Sequence, residues 1–460
     1  MEENPMPLQK YMIEHLLYPA MEHRKGNQIR SILSELQFSQ NANIEQIQRT
    51  RLINLLLHCK KHVPAYANVL PNASIIQADP FAVLHTQVPL LPKRQFQRTA
   101  QQHLADNIPD TERITNCTGG STGEPIHFYM TRRQVESYEA ARWRGLSWYG
   151  ITQGSRSVML WGSPIELSKQ AQLKNRLRES LLKNRRILSA YNLTERDLAK
   201  HILFLERYKP EYLYGYATIL TAFAQMLDKH RIHPNLTLKA VVSTSETLEP
   251  WQAELLEKVF RCPVANEYGA RDAGILAYTC PQGGIHITAE NCIIEVLDPV
   301  THEPLPDGQS GLLAITDLTN FVQPRLRYLL GDIGTISPSL CRCGRTLPLL
   351  LHIDGREDDL LIGHDGALVH GNIIGQLLRP LNGLAAFQFR QHTPQSATLY
   401  LVKTIPTLPL NEQSIHEQLA KVLPDTEVTI RYVSQITPTA SGKLRYAIRE
   451  CPLSMEACHV

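Results

Sequence analysis

Three groups of residues in this chain have types and spacings that could do chemistry. The first is the stretch Thr115-Asn116-Cys117-Thr118-Gly119-Gly120-Ser121-Thr122-Gly123-Glu124-Pro125. Glycines let backbone N–H groups approach an anion closely, and the clustered hydroxyls add donors, so polyphosphate is the ligand such a loop suits. No Gly-Lys-Ser/Thr ends the loop, which therefore is not a Walker A sequence. A solvated turn between two strands is the competing reading. The second group is Cys280, His286, Cys341 and Cys343. Three thiolates and an imidazole satisfy tetrahedral Zn²⁺ and leave no open position, which points to a structural site. Buried free thiols are the alternative, and Cys292 is a spare ligand. Cys117 reads as a small buried filler, and no serine or cysteine triad is apparent. The third group is Lys443 behind Ser441-Gly442.

Composition bounds what these groups can belong to. With 460 residues, 43% of them hydrophobic and 20% charged, the chain exceeds one ordinary domain and suits a large body plus an appendage. The net charge of only +3 argues against a dedicated nucleic-acid binder, but not against a nucleotide with few phosphates. Glu2 and Glu3 open the chain and no apolar core follows, so no export signal is expected. No run of about 18 apolar residues occurs, so no membrane span is expected either. Nine cysteines without an export signal are expected to be reduced or metal-bound, in a cytoplasmic protein.

The elements that must position these groups follow from periodicity. Ile29–Leu36 and Ile44–His58 repeat apolar residues at helical spacing. Arg113 to Thr115 and His127 to Met130 read as strands flanking the glycine-rich loop. Helices are expected over Gln134–Tyr149, Asp197–Tyr208 and Pro250–Phe260. Strands are expected over Ser157–Trp161, Leu238–Ser243 and Val264–Tyr268. This alternation predicts an α/β sheet covered by helices, followed by strands and turns from Ile285 to Ile336. A smaller unit restarts near Asp354, with strands at Phe387–Phe389, Ala397–Val402 and Glu427–Val433 and a helix at Ser414–Val422. The expected fold is thus a large N-terminal α/β body with a helix-rich start, residues 1–354, and a small α+β C-terminal domain, residues 355–460.

Four further segments stand in order after the loop: Asn266-Glu267-Tyr268-Gly269-Ala270-Arg271-Asp272, Arg327-Tyr328-Leu329-Leu330-Gly331-Asp332, Asp354-Gly355-Arg356-Glu357-Asp358-Asp359 and Thr437-Pro438-Thr439-Ala440-Ser441-Gly442-Lys443-Leu444-Arg445. Together with the loop they resemble the acyl-adenylate-forming superfamily, and most closely its phenylacetate-CoA ligase and CapK-like branch. The resemblance implies an ATP- and Mg²⁺-dependent ligase that makes an acyl-AMP and passes the acyl group on. It implies that Thr118, Gly119, Gly120, Ser121, Thr122 and Gly123 grip the polyphosphate. Asp332 would accept hydrogen bonds from the ribose hydroxyls, and a carboxylate can take two vicinal hydroxyls at once. Tyr268 would stack near the adenine with Gly269 letting the backbone pass, and Ser245, Glu246, Glu267 and Arg356 would complete the nucleotide site. Asp272 stands where the family usually has a Mg²⁺-binding glutamate and is one methylene shorter. Lys443 would bridge the substrate carboxylate and the α-phosphate as charge develops. Asp358 matches the hinge about which the small, mobile domain rotates between half-reactions. Similar Cys/His sets occur in the same branch.

For the acid, the resemblance points to Tyr138, Trp161, Tyr214, Tyr216 and Ser243 as pocket residues; the aromatic side chains suit an aromatic acid, with plain core filling as the competing reading. CoA, a carrier-protein thiol and an amine remain open as acceptors, as does a homodimer. Two other classes stay in view: a phosphotransferase, weakened by the missing Gly-Lys-Ser/Thr, and a nonenzymatic zinc-stapled scaffold, weakened by Lys443.

Overall fold

A computed structural model describes residues 8–118, 126–161, 179–189, 195–364, 367–378, 381, 383–405, 407, 409–437 and 445–451. Its centre is a twelve-stranded mixed sheet. Five strands run parallel, in the order Arg185–Ser189, Ser157–Trp161, Tyr212–Tyr216, Ala240–Thr244 and Val264–Ala270. Gly274–Thr279 then pairs antiparallel with Val264–Ala270, and the sheet continues through Ile285–Ile287, Leu349–Arg356, Tyr328–Ile336, Ser310–Asp317 and Cys292–Leu297. The short Leu91–Pro92 strand adds parallel to Tyr328–Ile336. Val264–Ala270 is therefore where the parallel half of the sheet meets the antiparallel half.

Every residue of Ser157–Trp161 and of Ala240–Thr244 is buried, as expected of parallel strands with helices on both faces. On one face Val158, Leu160, Leu213 and Val241 meet Leu205, Leu220, Phe223 and Leu256 of three helices, Leu198–Tyr208, Ala217–Lys229 and Pro250–Phe260. On the other face Met159, Tyr214 and Val242 meet Leu146 of helix Arg132–Ser147. Each such side chain contributes about 1.5–3 kcal/mol on burial. Pro250–Phe260 begins where it does because Glu249 and Gln252 form a reciprocal capping box ahead of Pro250. The helix-rich start packs on the antiparallel half, where Leu52, Leu55 and Leu56 of Ile44–His62 reach Ile293, Leu318 and Leu326.

The mixed α/β body with a separate C-terminal unit is the architecture the sequence leads one to expect. The C-terminal unit has its own core, from Leu361 through Phe389, Leu399, Ile415 and Val428. Its four-stranded sheet runs Glu427–Tyr432, Ser396–Lys403, Leu384–Thr393 and Ala447–Arg449. Residues 354 and 355 lie within the Leu349–Arg356 strand, which pairs with Tyr328–Ile336 of the large sheet. Among the described residues no helix is long and apolar enough to cross a membrane.

Candidate active site

The glycine-rich loop joins two antiparallel strands, Ile114–Cys117 and His127–Met130. Thr118 closes its base: its N–H donates to Ile126 O at 3.0 Å, and its Oγ1 accepts from Ile126 N at 3.0 Å. Gly119, Gly120, Ser121, Thr122 and Gly123 lie outside the described residues. The strand His127–Met130 buries Phe128 and Met130 in the same core cluster as Tyr268 and Tyr328.

On the strand Val264–Ala270 the Tyr268 hydroxyl donates to Asp332 Oδ2 at 2.8 Å, and Arg356 Nη1 donates to Asp332 Oδ1 at 2.6 Å. Residues 332 and 356 are cross-strand partners, which places the two charges face to face. Burial and the Asp332 charge hold the Tyr268 phenol well above its usual range, so it stays a donor. Gly269 is needed here because a Cβ would stand 2.3 Å from Gly274 O in the neighbouring strand. Three segments far apart in sequence thus meet through Tyr268, Asp332 and Arg356.

Asp272 sits deeper, with its side chain 2% exposed. Its Oδ2 accepts from the Tyr328 hydroxyl at 2.9 Å and lies 3.5 Å from Lys93 Nζ. Burial works to raise this carboxyl, and the Lys93 and Arg325 charges with the Tyr328 hydroxyl bring it below its ordinary value. Lys93 and Arg325 have no part in the sequence-based site. Only the tertiary fold brings them to Asp272.

Along the C-terminal ends of the parallel strands, Trp161 stacks on Tyr214 at 6.2 Å and 14° and tilts against Tyr216 at 4.3 Å. Glu267 joins them: its Oε1 accepts from the Tyr214 hydroxyl at 2.8 Å and from Thr244 Oγ1 at 3.2 Å. Arg142 holds the same carboxylate with two bonds, Nε to Oε2 at 3.0 Å and Nη2 to Oε1 at 3.1 Å. Glu267 thereby faces the aromatic group. Ser243 falls on the opposite face, because it pairs in register with Gly215 while Thr244 pairs with Tyr216. Its buried hydroxyl has no partner among the described residues. Tyr138 belongs to the antiparallel side: its hydroxyl donates to Asp317 and its ring lies against Gly274. Glu246 caps the Ala217–Lys229 helix, accepting from Thr218 N at 2.9 Å and Thr218 Oγ1 at 2.7 Å. Ser245 is exposed and adopts a left-handed φ of 67° at the end of its strand.

Lys443 lies outside the described residues. The chain resumes at Arg445, whose Nε donates to Asp359 Oδ1 at 3.1 Å and whose carbonyl accepts from Gln388 Nε2 at 2.9 Å. The end of the lysine-bearing loop is thus tied to the turn Glu357–Asp359 that contains the expected hinge position, Asp358.

The four Cys/His candidates do come together. Cys280 Sγ, a His286 ring nitrogen, Cys341 Sγ and Cys343 Sγ all lie within 4.8 Å of one another. Cys280 and Cys341 sulfurs are 3.7 Å apart, and His286 Nε2 is 3.1 Å from Cys343 Sγ. Zn–S bonds of about 2.3 Å in a tetrahedron put sulfurs about 3.8 Å apart, so the donor set fits the ion. Gly284 admits the approach, since a Cβ there would stand 2.5 Å from Cys341 Sγ. Burial lowers the His286 imidazole to about 4, which keeps it a neutral ligand, and raises the Cys280 thiol to about 11.

Residues 361–450 match the family model of the CapK C-terminal domain. The chain is 23% identical to Protein CapK of Staphylococcus aureus over 410 residues, 88% of each chain. It is 26% identical to the phenylacetate-coenzyme A ligase of Thermus thermophilus over 351 residues, 71% of this chain and 74% of that one. Among solved structures, 2-hydroxyisobutyryl-CoA ligase in the postadenylation state with 2-HIB-AMP is similar at a TM-score of 0.67 and 18% identity, covering 89% of this chain and 90% of that one.

Proposed function

Because the chain belongs to the acyl-adenylate-forming superfamily, in its CapK-like branch, we propose that it activates a carboxylic acid with ATP and then transfers the acyl group. The carboxylate oxygen attacks the α-phosphorus, the bond to the β-phosphate oxygen breaks, and acyl-AMP and pyrophosphate result. An acceptor then attacks the acyl carbon, and AMP leaves. The observation that carries this reading is the meeting of Tyr268, Asp332 and Arg356 beside the hairpin that holds the glycine-rich loop. Asp332 supplies oxygens for the ribose hydroxyls. The loop from Thr118 to Gly123 supplies N–H and hydroxyl donors for the phosphates, whose magnesium enters with ATP. Lys443 brings positive charge to the α-phosphate as negative charge spreads over its oxygens, the largest single demand of the step.

The Trp161, Tyr214 and Tyr216 group suits a planar apolar acid, with Glu267 and Arg142 on its polar wall. The names of the relatives favour CoA as acceptor over a carrier-protein thiol or an amine. Cys280, His286, Cys341 and Cys343 would hold one zinc ion, whose contribution is structural: it ties the turn between Gly274–Thr279 and Ile285–Ile287 to the segment ahead of Leu349–Arg356.

The test is acid-stimulated pyrophosphate exchange across a panel of carboxylic acids. One class of acid stimulates exchange, and Lys443→Ala reduces it at least a hundredfold while the melting temperature is unchanged. No stimulation by any acid defeats the proposal.

A further inference from the structure

Two of the site's segments carry a tyrosine and an aspartate four residues apart, Tyr268 with Asp272 and Tyr328 with Asp332. The structure cross-links them reciprocally. Tyr268 donates to Asp332 at 2.8 Å and Tyr328 donates to Asp272 at 2.9 Å. The two aspartates are otherwise unlike. Asp332, 13% exposed in its side chain, faces Arg356 at the site. Asp272, at 2%, is closed off by Tyr328 and Lys93, and Arg325 Nη2 donates to its backbone carbonyl at 2.7 Å. Arg325 is itself sealed among the rings of Phe96, Phe128 and Tyr328, 5.0–5.8 Å from its guanidinium carbon.

This surrounding does not fit a magnesium ligand. Mg²⁺ keeps a near-octahedral shell with several waters, and prefers carboxylates it can reach without stripping them. Asp272 Oδ2 already carries a hydroxyl and an ammonium, the carboxylate is 2% exposed, and a second cation, Arg325, lies close by. The ion pair with Lys93 also supplies the countercharge that a metal would bring.

We propose that Asp272 is a positioning residue: through the Tyr328 hydroxyl it fixes the strand that carries Asp332, and with it the oxygens that meet the ribose. Lys93, not magnesium, neutralises it. This inference rests on the nucleotide reading above.

The test separates the clasp from the charge. AMP binding is measured by calorimetry on the full chain with no magnesium added, and the magnesium needed for half-maximal pyrophosphate exchange is measured separately. Tyr328→Phe removes the clasp and leaves the carboxylate; it is expected to weaken AMP about tenfold and to leave the magnesium requirement unchanged. Asp272→Asn keeps an acceptor for Tyr328 and removes the charge a metal needs; both quantities are expected to change less than threefold. AMP affinity unaltered in Tyr328→Phe overturns the proposal, as does a tenfold higher magnesium requirement in Asp272→Asn. If Asp272→Asn does not fold, Tyr328→Phe alone decides. A wild-type chain that exchanges pyrophosphate but binds no AMP sinks this inference while leaving the reaction standing; one that does neither sinks both.

Discussion

The Cys280–His286–Cys341–Cys343 corner and the Tyr–Asp clasp lie in the same sheet and handle buried titratable groups in opposite ways. In the clasp each carboxylate meets a phenol and a cation: Asp332 with Tyr268 and Arg356, Asp272 with Tyr328 and Lys93. In the corner four metal-ligating side chains face one another, with Arg345 at their rim. Such a group is held together either by thiol hydrogen bonds or by a metal ion between the donors. Residue type made the corner a metal candidate, and the family resemblance made Asp272 one. The partners decide that the corner has room for an ion's role and that the clasp has already filled it.

The largest expected effect follows from that contrast. The purified chain is expected to carry one zinc per molecule by elemental analysis. Cys343→Ser lowers that content and destabilises the fold by on the order of 5 kcal/mol, since structural zinc binding is folding free energy. A chain without zinc, or a Cys343→Ser variant with an unchanged melting temperature, makes the corner a cluster of free thiols and breaks the comparison.

The clasp makes the next prediction through His103. This imidazole is buried between Tyr66 and Phe96, and burial together with the Arg325 charge lowers it to about 4. The folded value lies below the unfolded one, so the unfolded chain binds the proton first. Stability is complete above about pH 6.5 and falls as the pH drops toward 4, by up to about 3 kcal/mol. The difference in urea stability between wild type and His103→Leu, at pH 7 and at pH 4.5, isolates this contribution from acid loss of zinc. An acid sensitivity equal in both proteins removes His103 from the account.

How far the sequence carried can be judged from individual residues. Ser157–Trp161 and Pro250–Phe260 have the bounds that periodicity and capping predict, because local pattern and burial agree there. The clustering of Cys280, His286, Cys341 and Cys343 was readable because Cys and His at short spacings are rare by chance. That Ser243 lies on the face opposite the aromatic group was not legible, because Ala240–Thr244 is buried on both faces and polarity then carries no alternation to reveal which way a side chain points. Tyr138 finds Asp317 and Asp272 finds Lys93 across 179 residues in each case, from elements with no sequence relation. Strand Arg185–Ser189 escaped notice because two arginines open it, whereas in the fold it is the last strand of the parallel half and one of them lies over Tyr208.

The smallest effect tests Arg345, a cation at the corner. Arg345 lies 4.5 Å from the ring of Trp148, whose edge meets His286 at 5.3 Å, and its Nε donates to Gln40 Oε1 at 3.3 Å. Burial raises the Cys343 thiol, and hydrogen bonds and charge from Arg345 more than offset that, leaving it below its ordinary value. If zinc holds the corner, Arg345 only trims it, and Arg345→Ala costs about 0.5–1 kcal/mol in urea unfolding, the range of an exposed cation–π contact, with zinc content unchanged. If instead the variant loses more than about 3 kcal/mol while zinc is retained, the guanidinium rather than the metal is balancing the thiolates. The corner and the clasp would then follow one rule, a carboxylate or thiolate answered by an arginine or lysine, and the distinction between them would lie only in which anion was chosen.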